Sequence, residues 1–336
     1  MNRPFTALND YAGVRALVVG ASGFLGRWVA RRLTEARASI TVAARRPKEF
    51  AEVARQWNIT ADAIAFDALT DPVSRAISIA APDIVFNLAG YGIDRGETDL
   101  GEMSRVNDVL VRQLAEALVE RKSTGAWRGR RLVHAGSALE YGLVDGMVTE
   151  DGPANPHTDY GRNKLHGTVA LRAVADSTGL ASVTARLFTV FGPGEHQGRL
   201  LPSLRRAART GSAATLSSGM QFRDFAYVED VAEGLLRLGL SAGTPGETVN
   251  LATGRMTSVR AFAETAAEVL ELPTDRLLFG IEPIRADEMR ITGVDVTRLE
   301  QRTGWTPDAD VESGIRRAVL FESALARDSH PPASAD

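Results

Sequence analysis

The chain has 336 residues, 44% hydrophobic and 24% charged, the balance of a globular protein of two domains or one with an added lobe, not a disordered chain. Lys and Arg total 39 against 42 Asp and Glu, so at a net charge of −3 there is no basic excess to neutralise a nucleic-acid backbone. Cys is absent and the five His never fall at ligand spacing, which excludes disulfide staples, thiolate metal sites and cysteine nucleophiles.

The first ten residues lack the apolar core of a signal peptide. No run of 18 apolar residues occurs, so no membrane partner is expected and the location expected is cytoplasmic. From the N-terminal side, short β-branched runs at 16–20, 39–44, 63–67, 84–89 and 131–135 alternate with amphipathic stretches such as 24–36 and 103–121. A further strand is expected at 182–187. Strands this apolar are buried on both faces, and alternation with helices predicts an α/β fold, a doubly wound parallel sheet. Beyond Gly192-Pro193-Gly194 the regularity fades. Residues 1–190 are read as a dinucleotide-binding domain to which 222–254 return, 191–221 and 255–327 as a smaller mixed α/β substrate lobe, and 328–336 as a disordered tail.

The first strand runs into Gly20-Ala21-Ser22-Gly23-Phe24-Leu25-Gly26, which opens the first helix. In that context glycines allow a sharp turn and a close approach of backbone to a pyrophosphate, whose charge the free N–H groups of the helix start receive. An acidic residue about 20 positions further on accepts from the ribose 2′-OH of NAD. Here Ala44 is followed by Arg45 and Arg46, and guanidinium groups pair with a 2′-phosphate where a carboxylate repels it. NADP(H) is therefore expected, with NAD(H) as the alternative. Asp67, beside Ala68, is a candidate acceptor for the adenine amino group or an N-cap.

Further on, Tyr160-Gly161-Arg162-Asn163-Lys164 places a phenol and an amine on one helix face. An ammonium beside a phenol favours the phenolate and is expected to bring its pKa down, making a general acid or base for a carbonyl or alcohol. Lys164 can also hold the nicotinamide ribose, and Ser137, at a strand end, can hydrogen-bond the reacting oxygen.

Together these residues resemble the extended short-chain dehydrogenase/reductase family, in its nucleotide-sugar epimerase/dehydratase branch, from about residue 16 to 305. The resemblance rests on Gly20/Gly23/Gly26, Asn87-Leu88-Ala89-Gly90, Asn107, Gly136-Ser137-Ala138-Leu139-Glu140-Tyr141-Gly142, Tyr160/Lys164, Arg186-Leu187-Phe188-Thr189-Val190-Phe191-Gly192-Pro193 and the segment 221–231. It implies that Ser137, Tyr160 and Lys164 are catalytic and that Ala68, Leu88, Ala89 and Gly90 line the cofactor site. It also implies that Arg223 and Arg285 hold a sugar-nucleotide diphosphate, that Tyr91 shapes the sugar pocket, and that the chain forms a homodimer. Departures exist: Thr189 stands where the family commonly has Asn, and Arg285-Ala286-Asp287-Glu288 where it has Arg-x-Gly-Asp.

The reaction follows from what is missing. Dehydratases of this branch carry Asp-Glu where this chain has Ala138 and Leu139, which move no proton. The expectation is NADPH-dependent reduction of a 4-keto nucleotide sugar with Tyr160 as acid. The alternatives are an epimerase that retains its cofactor, or a sensor or scaffold subunit that binds NADP(H) without turnover.

Overall fold

A computed structural model of the chain describes residues 10–94, 96–121, 127–284 and 288–329. Seven parallel strands form one sheet: β1 (Arg15–Val19), β2 (Ser39–Ala44), β3 (Asp62–Ala65), β4 (Ile84–Asn87), β5 (Leu132–Ser137), β6 (Ser182–Leu187) and β7 (Glu247–Leu251). Their order, β7-β6-β5-β4-β1-β2-β3, reverses between β1 and β4, and ligands bind at such a switch point. This is the doubly wound fold expected from the alternation of patterns.

Both faces of the sheet are covered, which is why β1 has no polar alternation. Ala16 and Val18 pack into one core with Trp28, Val29 and Leu235; Leu17 and Val19 pack into the other with Leu110, Leu114 and Leu171. The covering helices include α1 (Phe24–Glu35), α2 (Pro47–Gln56) and α3 (Val73–Ala80). On the far side of β4 follow α4 (Leu100–Ser104), α5 (Leu110–Glu120) and α6 (Asp159–Thr178). Between α4 and α5, residues Arg105–Val109 form a π-helical turn, a device that re-aims side chains, often at functional sites. It puts Asn107 beneath Tyr91, whose backbone N–H it accepts at 3.2 Å and whose carbonyl it reaches at 2.6 Å. A Cβ at Gly167 would stand 2.2 Å from the Asn107 carbonyl, so α6 lies hard against this turn.

After β6 the chain builds a smaller layer. Thr189–Phe191 pairs in parallel with Phe222–Tyr227, which pairs antiparallel with Met256–Ser258. Asp145–Val148 pairs with Arg290–Val294, tying the segment after β5 to the C-terminal part of the chain. Helix α7 (Leu200–Thr210) belongs to this layer, whereas α8 (Val228–Leu240) packs on α1 and leads back to β7 at the sheet edge. The C-terminal helix runs from Val311 to Ser329, past the point where the sequence reading placed the start of a loose tail. Residues 330–336 lie outside the described residues.

Candidate active site

Gly20 takes φ of +85° at the end of β1, and a Cβ there would stand 2.7 Å from the Ala89 backbone nitrogen. Only glycine meets both demands without strain. Gly26 is buried, and its Cβ would stand 2.1 Å from the Gly20 carbonyl, so its role is close packing of α1 on the loop. Phe24 and Leu25 are half-buried against the core, and α1 carries no acidic residue in its first turn. The helix start is thus left to an anion from outside.

Ser22, Gly23, Ala44, Arg45, Arg46, Asp67, Ala68, Leu88, Ala89 and Gly90 line one groove of about 400 Å³ that runs from this loop along the strand ends. The glycine cradle and the uncapped helix start fit the pyrophosphate of a dinucleotide. At the far end Arg46 is paired with Glu49 at 3.0 Å, while Arg45 is exposed and has no ion partner among the described residues. One oxygen of Asp67 accepts the Leu69 N–H at 3.0 Å within a local turn; Pro72, not Asp67, is the N-cap of α3, and Asp67 lines the groove. Tyr91 also lines this groove. Gly92 and Ile93 line a second pocket instead, while Asn107 holds the Tyr91 backbone from below.

Between this groove and a neighbouring pocket stands a wall: Ser137 and Tyr160 line the pocket, and Lys164 donates to Ala89 of the groove. Ser137 closes β5, and Tyr160 opens α6, whose N-cap Thr158 accepts the Gly161 N–H at 3.0 Å. A Cβ at Gly161 would stand 2.4 Å from the Leu139 carbonyl, so the glycine lets the helix start rest on the turn after Ser137. This brings Ser137 and Tyr160 together in the lining of one pocket. Lys164, 3% exposed, donates to the carbonyls of Ala135 at 3.1 Å and Ala89 at 3.4 Å and stands 5.9 Å from the Tyr160 ring centre.

The expectation for the phenol is overturned. Burial, followed by the charge of Glu140, pushes the Tyr160 pKa up, and the groups that oppose the rise are Arg199 and Ser137 rather than Lys164. Lys164 is directed at two carbonyls, and burial pulls its own pKa down to about 8. The phenol is therefore held as a proton donor.

Beyond the wall lies a pocket of about 260 Å³ lined by Ala138, Leu139, Thr189, Arg199, Phe222, Arg223 and Glu288, among others. Arg223 makes two bonds to the Glu288 carboxylate, at 2.7 and 2.5 Å, so the guanidinium read as a diphosphate holder is engaged by an internal anion. Arg285 lies outside the described residues. Arg199 escaped the sequence reading. It caps α7 with no acidic residue in the first turn, against the helix dipole, and that local misfit is the signal that marks it. Its partner Glu195, 3.5 Å away, is pushed up to about 7 by burial.

Residues 16–252 match the profile of the NAD dependent epimerase/dehydratase family. The chain is similar to a dTDP-6-deoxy-L-talose 4-dehydrogenase (NAD(P)(+)) of Kitasatospora kifunensis, 28% identical over 93% of this chain and 96% of that protein. It is also similar to a UDP-glucose 4-epimerase of Mycolicibacterium smegmatis, 26% identical over 92% of this chain and 98% of that one. Among solved structures, MoeE5 in complex with UDP-glucose and NAD matches at a TM-score of 0.78 and 26% identity, covering 94% of this chain and 99% of that one. A dTDP-glucose 4,6-dehydratase of Bacillus anthracis, 17% identical over 93% of this chain and 97% of that one, shares the fold at a TM-score of 0.77.

Proposed function

The chain belongs to the NAD dependent epimerase/dehydratase family, an enzyme family of the short-chain dehydrogenase/reductase type, and from that membership we propose that it reduces a 4-keto nucleotide sugar to the alcohol. The carrying observation is that wall: Ser137 and Tyr160 line the pocket beside Ala138 and Leu139, and Lys164 stands 5.9 Å from the Tyr160 ring centre and bonds Ala89 of the groove. Neither of those two side chains moves a proton, which argues against dehydration. The relative from Kitasatospora, named as a 4-dehydrogenase of dTDP-6-deoxy-L-talose, supports this reading, since reduction of a 4-keto sugar is the reverse of such an oxidation.

A nicotinamide dinucleotide held by Gly20, Ser22, Gly23, Leu88, Ala89 and Gly90 supplies the hydride when bound. Tyr160 protonates the oxygen of the carbonyl being reduced, and Ser137 orients that oxygen by hydrogen bonding. Lys164, anchored on the Ala89 and Ala135 carbonyls, places its ammonium at the cofactor side of the wall. On the substrate side, Arg223 and Arg199 are the cations for a diphosphate, Arg223 exchanging Glu288 for it, and Thr189 lines the sugar end.

For the cofactor, the expectation of NADP(H) rests on Arg45 alone once Arg46 is occupied by Glu49, and the MoeE5 structure carries NAD. We read the enzyme as using NAD(H) and accepting NADP(H) through Arg45. A second reading is favoured by the similarity to the UDP-glucose 4-epimerase: inversion at C4 with the dinucleotide retained. The test adds NADH or NADPH and a dTDP-, GDP-, CDP- or UDP-4-keto-6-deoxyhexose to the purified protein and follows dinucleotide oxidation. Stoichiometric oxidation supports reduction. Interconversion of UDP-glucose and UDP-galactose without consumption of added dinucleotide supports the epimerase. Dinucleotide binding with no turnover of either kind supports a sensor or scaffold.

A further inference from the structure

We propose that Glu140 is a positioning residue: clamped by Arg186 and Thr168 behind the wall, its carboxylate holds the backbone of Ser137 and presents a fixed negative charge to Tyr160 and Lys164. The proposal rests on the reading of those three residues as the proton-transfer wall.

Glu140 ends the single 3₁₀ turn that follows β5, and the turn is closed reciprocally. The Ser137 hydroxyl accepts the Leu139 N–H at 3.2 Å, and one Glu140 oxygen accepts the Ser137 N–H at 2.8 Å. Capping boxes ordinarily sit at the surface. In this one Glu140 is fully buried, and Ser137 is 9% exposed. The second Glu140 oxygen accepts the Thr168 hydroxyl at 3.0 Å and the Arg186 Nε at 2.8 Å. Taking such a pair out of water is costly, and here each partner is held by hydrogen bonds that offset the cost.

The surroundings are shaped to admit it. A Cβ at Gly136 would stand 2.6 Å from the Glu140 oxygen and 2.7 Å from Thr184 Cγ2, so glycine there leaves room for the carboxylate. Arg186 cannot swing away, because its guanidinium lies 4.3 Å from the ring centre of Tyr141, whose hydroxyl donates to Asn250 at 2.6 Å. The charged and titratable groups around Glu140 come from each element packed on it: Arg186 from β6, Tyr160 and Lys164 from α6, and Tyr141 from its own turn. Burial pulls Lys164 down, and Glu140 is the charge that opposes this.

Two variants test the proposal. Glu140→Gln removes the charge and replaces one of the two acceptor oxygens by a donor amide. The double variant Glu140→Leu with Arg186→Met removes both charges, leaves no guanidinium unpaired, and keeps the test open should the single variant fail to fold. The readouts are the Lys164 side-chain titration by nitrogen NMR, assigned with Lys164→Met, NADH affinity, and kcat against KM with NADH and a dTDP-4-keto-6-deoxyhexose. In the folded variant the Lys164 midpoint is expected to fall by about half a unit or more. The kcat is expected to fall roughly 10- to 100-fold while KM and NADH affinity stay within about threefold. An unmoved midpoint, or an unchanged kcat in a folded but less stable variant, overturns the proposal in favour of a plain structural ion pair. If the wild type reduces none of the sugars, the functional reading falls alone and the Lys164 midpoint decides this one.

Discussion

The groove and the pocket lie side by side, Tyr91 lining the one and Gly92 the other, but are made of different material. On the groove side the chain offers backbone: Gly20, Gly23 and Gly26 in one loop, and the carbonyls of Ala89 and Ala135 under Lys164. On the pocket side it offers side chains from distant segments, Ile93, Leu139, Arg199, Arg223 and Glu288, with charges facing one another across the space. A backbone cradle serves one constant ligand and tolerates little change. An array of side chains is where a substrate is chosen, and substitutions there alter affinity without dismantling the fold.

That contrast breaks most sharply at the wall between them. Tyr160→Phe is expected to lower kcat roughly 100- to 10,000-fold while dinucleotide affinity and sugar KM stay within about threefold, measured by steady-state kinetics and NADH titration. A matching loss of dinucleotide affinity would place the phenol in the groove rather than on the wall. Within the groove, Gly20→Ala forces a side chain into φ of +85° and onto Ala89. It is expected to cost about 1–3 kcal/mol in denaturant unfolding and to abolish measurable NADH binding.

The wall also carries a pH signature. Lys164 is an ammonium below about 8 and neutral above it, whereas Tyr160, raised by burial, stays a phenol through that range. The alkaline fall of kcat/KM is therefore expected near 8 and assigned to Lys164, and Lys164→Met should remove it. The unfolded chain keeps that proton up to its ordinary value of 10.5, so between the two values it binds more protons than the folded chain. Across that window this group makes stability rise with pH, which urea unfolding at several pH values checks.

Smaller effects belong to the pocket and the groove's far end. Glu288→Gln releases Arg223 from its internal anion and is expected to lower the KM for the nucleotide sugar about three- to tenfold with kcat unchanged. A raised KM would mean that Glu288 itself holds substrate. Arg45→Ala is expected to weaken NADPH relative to NADH by about tenfold, as loss of one charge-assisted phosphate contact should.

What could be read from the chain divides along the same line. Loop glycines, apolar strands and the Tyr160–Lys164 spacing are local patterns, and the parallel sheet followed from them. The pocket was legible only in fragments, because its partners are far apart: Arg223 was visible, but not that Glu288, 65 residues on, occupies it. Arg199 was hidden in a stretch whose regularity had faded, and that Tyr91 lines the groove while Gly92 and Ile93 line the pocket is a tertiary fact that no local pattern announces. The phenol's acidity was misjudged for the same reason: spacing shows that Lys164 is near, while burial and the direction of its amine are tertiary facts.

The most direct measurement follows one labelled atom. NADH carrying deuterium at the transferable position is incubated with the enzyme and a dTDP-4-keto-6-deoxyhexose, and the sugar product is examined by mass spectrometry and NMR. One deuterium at C4 of the sugar is expected for each NADH oxidised, transferred roughly 100- to 10,000-fold more slowly when Tyr160→Phe replaces the wild type. Sugar converted without deuterium or NADH oxidation, or label transferred at the wild-type rate by Tyr160→Phe, would contradict this expectation.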